Sequence, residues 1–262
     1  MFKSLDFTYD GKSSTDYGLV LASLGKSGTG TAPLGVPFII EEAKVKSNPK
    51  PFFYGVEVGP KLSFEVEMIY ISPDPDKPEL TRQTIASILK WLLKKEYKEF
   101  RVIDEDYSNI IYNCIFTEPE QIQYDNSTYG LKFTAVCDRP YGFKKQTITK
   151  QITTSGTINI SNLGFYNDDI YPEIEIQMGA GGGNISLVNT SDGNRNFAFT
   201  GLAGNEIVYI NNQRQEIYSS NSVNRNTNFN FNWFRIAPKP VNAITVTGTA
   251  TITFRIEFPM PM

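Results

Sequence analysis

The chain has 262 residues, 40% of them hydrophobic and 13% aromatic, with a formal net charge of -3 at pH 7. That length favours two domains, and that apolar content fills packed cores instead of leaving a disordered chain. No basic stripe is present to neutralise nucleic-acid phosphates, no apolar run approaches a bilayer span, and histidine is absent, which removes imidazole triads and the commonest zinc ligand.

The opening Met1-Phe2-Lys3-Ser4-Leu5 lacks the apolar core of a signal peptide, so no secretion route is expected. Leu5, Phe7 and Tyr9 are spaced by two, as on one face of a strand; Asp10-Gly11 supplies turn chemistry, and Tyr17 to Leu21 reads as another short strand. A glycine-rich link runs from Gly25 to Gly35. Residues 36–46 and 52–58 look extended around Asn48-Pro49-Lys50-Pro51, an exposed tip between two strands. Three consecutive aromatics beyond that tip, Phe52, Phe53 and Tyr54, are more than one strand face can bury, and they are the candidate contacts with a neighbouring subunit.

Leu62, Phe64, Val66 and Met68 alternate with polar residues in a half-buried strand, and the three prolines of Ser72 to Pro78 make a loop. The spacing predicts one helix over 81–95. Ile85, Ile88, Leu89, Leu92 and Leu93 form its apolar stripe, with Trp91 beside it, Thr81 as its cap and Lys90, Lys94 and Lys95 near its C-terminal end. Strands follow at Phe100 to Ile103 and Ile110 to Phe116, then a hairpin through Asp125-Asn126-Ser127 leading to Leu131, Phe133, Ala135 and Cys137. Asp138 to Phe143 breaks the sheet, and the domain boundary is placed there, giving domains 1–143 and 144–262.

Composition changes at that point: residues 146–262 hold 17 of the 21 asparagines, and charges thin out. Short strands are predicted at Ile158–Ile160, Ile174–Ile176, Ile185–Leu187, Phe197–Phe199, Ile207–Tyr209, Phe229–Phe231, Ile244–Val246 and Ile252–Phe258, which without a helix argues a sandwich or jelly roll. The expected fold class is therefore mainly β, with an N-terminal β-sandwich-like domain carrying one α-helix and a C-terminal β-sandwich.

Candidate sites are few. Gly179 to Gly183 is followed by a strand and by no lysine, so it reads as a hairpin loop and not a phosphate cradle. Asp74 with Asp76, and Asp104 with Glu105 and Asp106, fall where turns are expected and lack the calcium-loop pattern. A glycosidase would need two carboxylates across a cleft, and no motif points to one. Cys114 and Cys137 lie in strand-like runs and read as buried free thiols, a disulfide being possible but not required. Alternation sends Trp233 and Phe234 to opposite faces, one to the core and one partly exposed, where Trp233 is a candidate glycan or docking contact.

In their order and spacing, several segments resemble the distal tail protein family of siphophages. Phe7 to Leu19 is similar to the family's opening; the helix with its Trp91-Leu92 pair, followed by Phe100 to Ile103, fits its single N-terminal helix; and Asp138-Arg139-Pro140-Tyr141 resembles the exit from that domain, with Arg139 inserted. Gly164 to Ile176, Gly204 to Asn211 and Phe231 to Ile236 resemble its later motifs, while Pro240 to Ile244 keeps the asparagine but lacks a glycine. The resemblance implies a non-enzymatic structural protein that is made in the host cytoplasm and ends in the virion tail tip. Its N-terminal domain would close a homo-hexameric ring, and its C-terminal domain would be a galectin-like sandwich. The tail tube protein, a tail-associated lysin or spike protein and receptor-binding proteins are the implied partners, with no cofactor, metal, nucleic acid or membrane. A carbohydrate-binding module for host cell-wall polysaccharide is the alternative.

Overall fold

A computed structural model describes residues 6–22, 38–59, 61–103 and 109–261; Leu5, the Gly25–Gly35 link and the Asp104, Glu105, Asp106 cluster lie outside the described residues. Residues 1–143 with 261–262 form one compact unit and residues 144–260 another. Both are antiparallel β, as the alternating patterns predict.

The first unit contains β1 (Phe7–Tyr9), β2 (Lys12–Ser13), β3 (Leu19–Ala22), β4 (Phe38–Ala43), β5 (Phe52–Val58), β6 (Ser63–Tyr70), the helix α1 (Arg82–Leu92), β7 (Lys98–Val102), β8 (Tyr112–Tyr124) and β9 (Ser127–Cys137). Seven strands make one sheet in the order β2-β1-β7-β8-β9-β6-β3, and β4 with β5 makes a separate two-stranded sheet. Asp10 and Gly11 join β1 to β2, and Asp125 and Asn126 join β8 to β9; all four have positive φ, the conformation a tight two-residue hairpin turn requires. On the buried face of the large sheet stand Phe7, Tyr9, Phe64, Val66, Met68, Phe100, Phe116, Leu131, Phe133 and Ala135.

The helix starts at its predicted cap, where Thr81 Oγ1 accepts from the Thr84 amide at 3.1 Å. It stops at Leu92, three residues before the predicted end, and Leu93 turns into extended backbone with its side chain exposed. The buried residues are Ile88, Trp91 and Leu92, so Trp91 lies in the packed stripe and not beside it. The reason is the indole. Trp91 Nε1 donates to the Tyr9 carbonyl at 2.9 Å, and its ring stacks on Tyr17 at 4.2 Å and on Phe7 at 5.8 Å. These contacts rotate the helix towards β1 and away from Leu93.

The second unit is built from β10 (Gly142–Ile152), β11 (Ser155–Ser161), β12 (Glu173–Met178), β13 (Gly183–Asn189), β14 (Arg195–Leu202), β15 (Ile207–Asn211), β16 (Glu216–Ser219), β17 (Val241–Thr247) and β18 (Ala250–Met260). A five-stranded sheet β10-β18-β12-β15-β16 and a four-stranded sheet β11-β17-β13-β14 share one core, to which Ile174, Val208, Phe254 and Ile256 contribute from the first and Ile160, Leu187, Phe197 and Val246 from the second. This is a β-sandwich. The strand predicted at Phe229–Phe231 does not form: a 3-10 turn covers Asn226–Asn228, a single bridge joins Phe229 to Phe199, and Phe231 has φ 56°.

Replacing Trp91 with Ala removes a buried ring and leaves the Tyr9 carbonyl without its donor, and should cost about 3–5 kcal/mol of stability. Trp91→Phe keeps ring packing and should lose less than half of that. Denaturant unfolding of the full chain measures both.

Candidate assembly surfaces

Strands β4 and β5 form an arm whose register decides what it displays. Phe38 pairs with Val58 and Ile40 with Val56, so these four side chains share a face. A bulge between Glu41 and Glu42 leaves Tyr54 unpaired and sets Phe53 opposite Glu42, on that same face. Without the extra residue Phe53 would alternate onto the side of Glu57. Phe52, opposite Ala43, falls on the other face with Ile39. The three aromatics singled out in sequence are all exposed, at 54%, 64% and 70% for Phe52, Phe53 and Tyr54. The structure joins Phe53 to four further exposed residues, Phe38, Ile40, Val56 and Val58, which the alternation in both segments already carried. An isolated two-stranded ribbon is marginal in water, and one apolar on most of a face is a surface built to be covered.

The second surface is the segment from Asn228 to Ala237, which runs beside the edge of the four-stranded sheet. Asn228 Nδ2 donates to the Thr200 carbonyl at 2.8 Å, and Asn230 Nδ2 and Asn232 Nδ2 both donate to the Asn196 carbonyl, at 2.7 and 2.8 Å. The Ala198 amide donates to Asn230 Oδ1 at 3.2 Å. Side-chain amides spaced by two thus add to the few backbone bonds along β14, the Asn230 amide on the Ala198 carbonyl at 3.1 Å among them. Backbone pairing stops there because Phe231 turns to positive φ. Further on, Asn212 Oδ1 accepts from the Phe234 amide, Asn189 Nδ2 donates to the Arg235 carbonyl, and buried Asn242 bonds both the amide and carbonyl of Ala237.

Held this way, the segment sends Phe234 into the core, leaves Trp233 half-buried edge-on to Phe229 at 4.8 Å, and projects Phe231 into solvent, 64% exposed. The predicted split between Trp233 and Phe234 therefore holds, but the most exposed ring of the group is Phe231, which the strand reading concealed. Its signal was the Asn228-Phe229-Asn230-Phe231-Asn232 alternation.

Ion pairs pin the surrounding loops. Arg235 bonds both carboxylate oxygens of Asp192 at 2.8 Å and Asp169 at 2.7 Å, and the Asp192 carboxyl is held below its ordinary range by Arg235 first and then by Arg195. Glu206 is wholly buried with Arg225 at 2.6 Å. Burial alone would raise its carboxyl, but bonds from Arg225, Ser219 and the Ala203 amide outweigh that and bring it to about 2. The acidic pair predicted as turn residues is one: Asp74 Oδ1 accepts from the Asp76 amide at 3.1 Å. Gly179 to Gly183 is the turn from β12 to β13, with the Gly182 amide on the Gly179 carbonyl.

With these surfaces placed, comparison with known proteins assigns the chain. A family model described as a phage tail protein N-terminal domain matches residues 2–139, and one described as a phage tail C-terminal domain matches residues 141–256. The chain belongs to this family of phage tail proteins. No curated protein sequence matches it. Among solved structures, the phage tail protein is similar to the Dit protein of SPP1, described as a paradigm of the hub adsorption apparatus in phages infecting Gram-positive hosts. The TM-score is 0.69 at 13% identity, over 97% of this chain and 98% of that one. A chain of the phage P2 baseplate in its activated conformation with Ca has a TM-score of 0.53 at 9% identity, covering 97% of each chain. At such identities the likeness establishes the fold.

Two outcomes are expected for the second unit. Asn242→Ala strands the Ala237 amide and carbonyl and should cost about 2–5 kcal/mol by denaturant unfolding. Because the folded Glu206 carboxyl is depressed, its contribution is complete above the unfolded value near 4.5 and fades as pH falls towards about 2. The thermal midpoint should therefore drop across that window, and Glu206→Gln should flatten the drop.

Proposed function

We propose that this phage tail protein is the distal tail protein of a long-tailed phage, a hub subunit that joins the tail tube to the host-adhesion tip by assembly and not by catalysis. The observation that carries the reading is the arm, with its exposed apolar face of Phe38, Ile40, Phe53, Val56 and Val58. Each large apolar side chain buried contributes about 1.5–3 kcal/mol, so five give about 7–15 kcal/mol, comparable with the cost of about 4–15 kcal/mol for associating two bodies. An adjacent copy of the chain is the occupant: repeated around a closed ring, one arm per subunit covers one site per subunit, with no arm left over. The fold shared with a hub protein over nearly the whole chain supports the same reading.

On this proposal the subunits close as a homo-hexamer at the virion tail tip after synthesis in the host cytoplasm. Tail tube protein binds one side of the ring and a tail-associated lysin or spike protein the other. The two units correspond to a ring-forming domain, 1–143, and a galectin-like domain, 144–262, on which Phe231 and Trp233 offer a docking contact for a receptor-binding protein. Trp233 lies edge-on to Phe229, which suits it less to stacking on a sugar than to supporting Phe231 against a protein.

Changing Phe53, Val56 and Val58 together to Ser should leave a folded monomer, because all three lie on the apolar face and none is buried. Light scattering and circular dichroism measure this, and a ring of unchanged mass would overturn the role given to the arm.

A further inference from the structure

The chain contains two cysteines, and the fold sets them directly opposite each other: Cys114 in β8 is the register partner of Cys137 in β9. Both are free thiols and both are fully buried. The kind of pair they make can be read from the backbone. The Asp138 amide donates to the Asn113 carbonyl at 2.9 Å, one residue outside the pair on each strand. That bond defines 114 and 137 as a pair whose backbones do not bond each other, the class in which side chains approach closest. Such pairs have Cα atoms about 4.5 Å apart, within the 4.4–6.8 Å or so that a disulfide spans, and directly opposed residues point to the same side of the sheet.

The geometry points to a latent cross-strand disulfide between Cys114 and Cys137, open when the chain is made and closed by a small-molecule disulfide once the tail has left a reducing interior. The reaction balances by exchange. One protein thiolate attacks one sulfur of the small disulfide and releases one small thiol; the other thiolate then attacks the Sγ of the first cysteine and expels the second. Two protein thiols lose two protons and two electrons, and one small disulfide becomes two thiols.

Either thiol can attack first, and both must be exposed by local opening, since the Cys137 amide is bonded to the Leu62 carbonyl and the Asp138 amide to that of Asn113. Burial keeps both steps slow: it pushes the Cys137 thiol up to about 12, and the Cys114 thiol is raised by burial and then by the neighbouring sulfur. The closed bond would tie together the two longest strands of the large sheet, which are joined through the loop carrying Asp125 and Asn126.

The test is incubation of the full-length protein with oxidised glutathione at mildly alkaline pH, followed by thiol titration under denaturing conditions, intact mass and a non-reducing gel. The expected result is loss of both thiols with a mass decrease of about 2 Da, no retained glutathione and no chain dimer. The thermal midpoint should rise by about 5–10 °C, reversed by reductant. Cys114→Ser should instead retain one glutathione on Cys137 or keep its single thiol. Two thiols surviving in the native protein, two stable glutathione adducts, a cross-link between chains, or a midpoint that fails to rise would each overturn the proposal. The comparison of oxidised with reduced wild-type protein stands even if the Ser variant does not fold.

Discussion

Backbone amides must be bonded wherever water is excluded, and in a chain made mostly of strands this demand concentrates at sheet edges. Much of the architecture of this tail protein answers it. The large sheet ends on β2, of two residues, and β3, of four, and the five-stranded sheet ends on β16, also of four, at one rim and on β10, of eleven, at the other, so the edge is short at three of these four rims. At β14, an eight-residue edge, asparagine side chains from a non-strand segment cap the strand instead. An asparagine carries the same donor and acceptor as a peptide group, so it closes an edge without offering a further edge of its own.

That device uses six of the 17 asparagines of residues 146–262. The irregular crossing from Asn228 to Ala237 is bonded through Asn189, Asn212, Asn228, Asn230, Asn232 and Asn242. At buried Asn189, Asn212 and Asn242 a charged side chain would carry a far larger desolvation cost. Where charges do enter, they enter as satisfied networks: Glu206 with Arg225, Ser219 and the Ala203 amide, and Arg235 between Asp169 and Asp192. A crossing held at so many points keeps a large ring such as Phe231 in solvent at positive φ, a backbone state that a bulky residue does not hold unaided.

The arm stands apart from this economy. Its two strands pair with each other, the apolar residues of one face are exposed, and a single bulge gathers Phe53 with Val56 and Val58 instead of with Glu57. In the same unit Trp91 ties the helix to β1 through its bond to the Tyr9 carbonyl and its stack on Phe7, and to the turn before β3 through its stack on Tyr17. A ribbon whose two strands are already paired has little order to gain when its apolar face is covered.

Local signals were sufficient wherever period and turn chemistry act over a few residues. Alternation marked the inward face of β6, β9 and β18; Asp10-Gly11 and Asp125-Asn126 marked turns; Thr81 marked the helix start. Long-range bonding overrode the same signals elsewhere. The helix face follows Trp91, whose partner Tyr9 is distant in the chain, and Phe229 to Phe231 makes one bridge to β14 and no strand because Phe231 turns to positive φ. By itself, then, the sequence determined that the chain is β with one helix, and where its strands turn, because these depend on steric preferences of neighbouring residues. Only the tertiary structure decided which aromatic rings face solvent, how the arm's bulge sorts its faces, and that Cys114 stands across from Cys137, because each depends on register between segments that meet only when the chain folds.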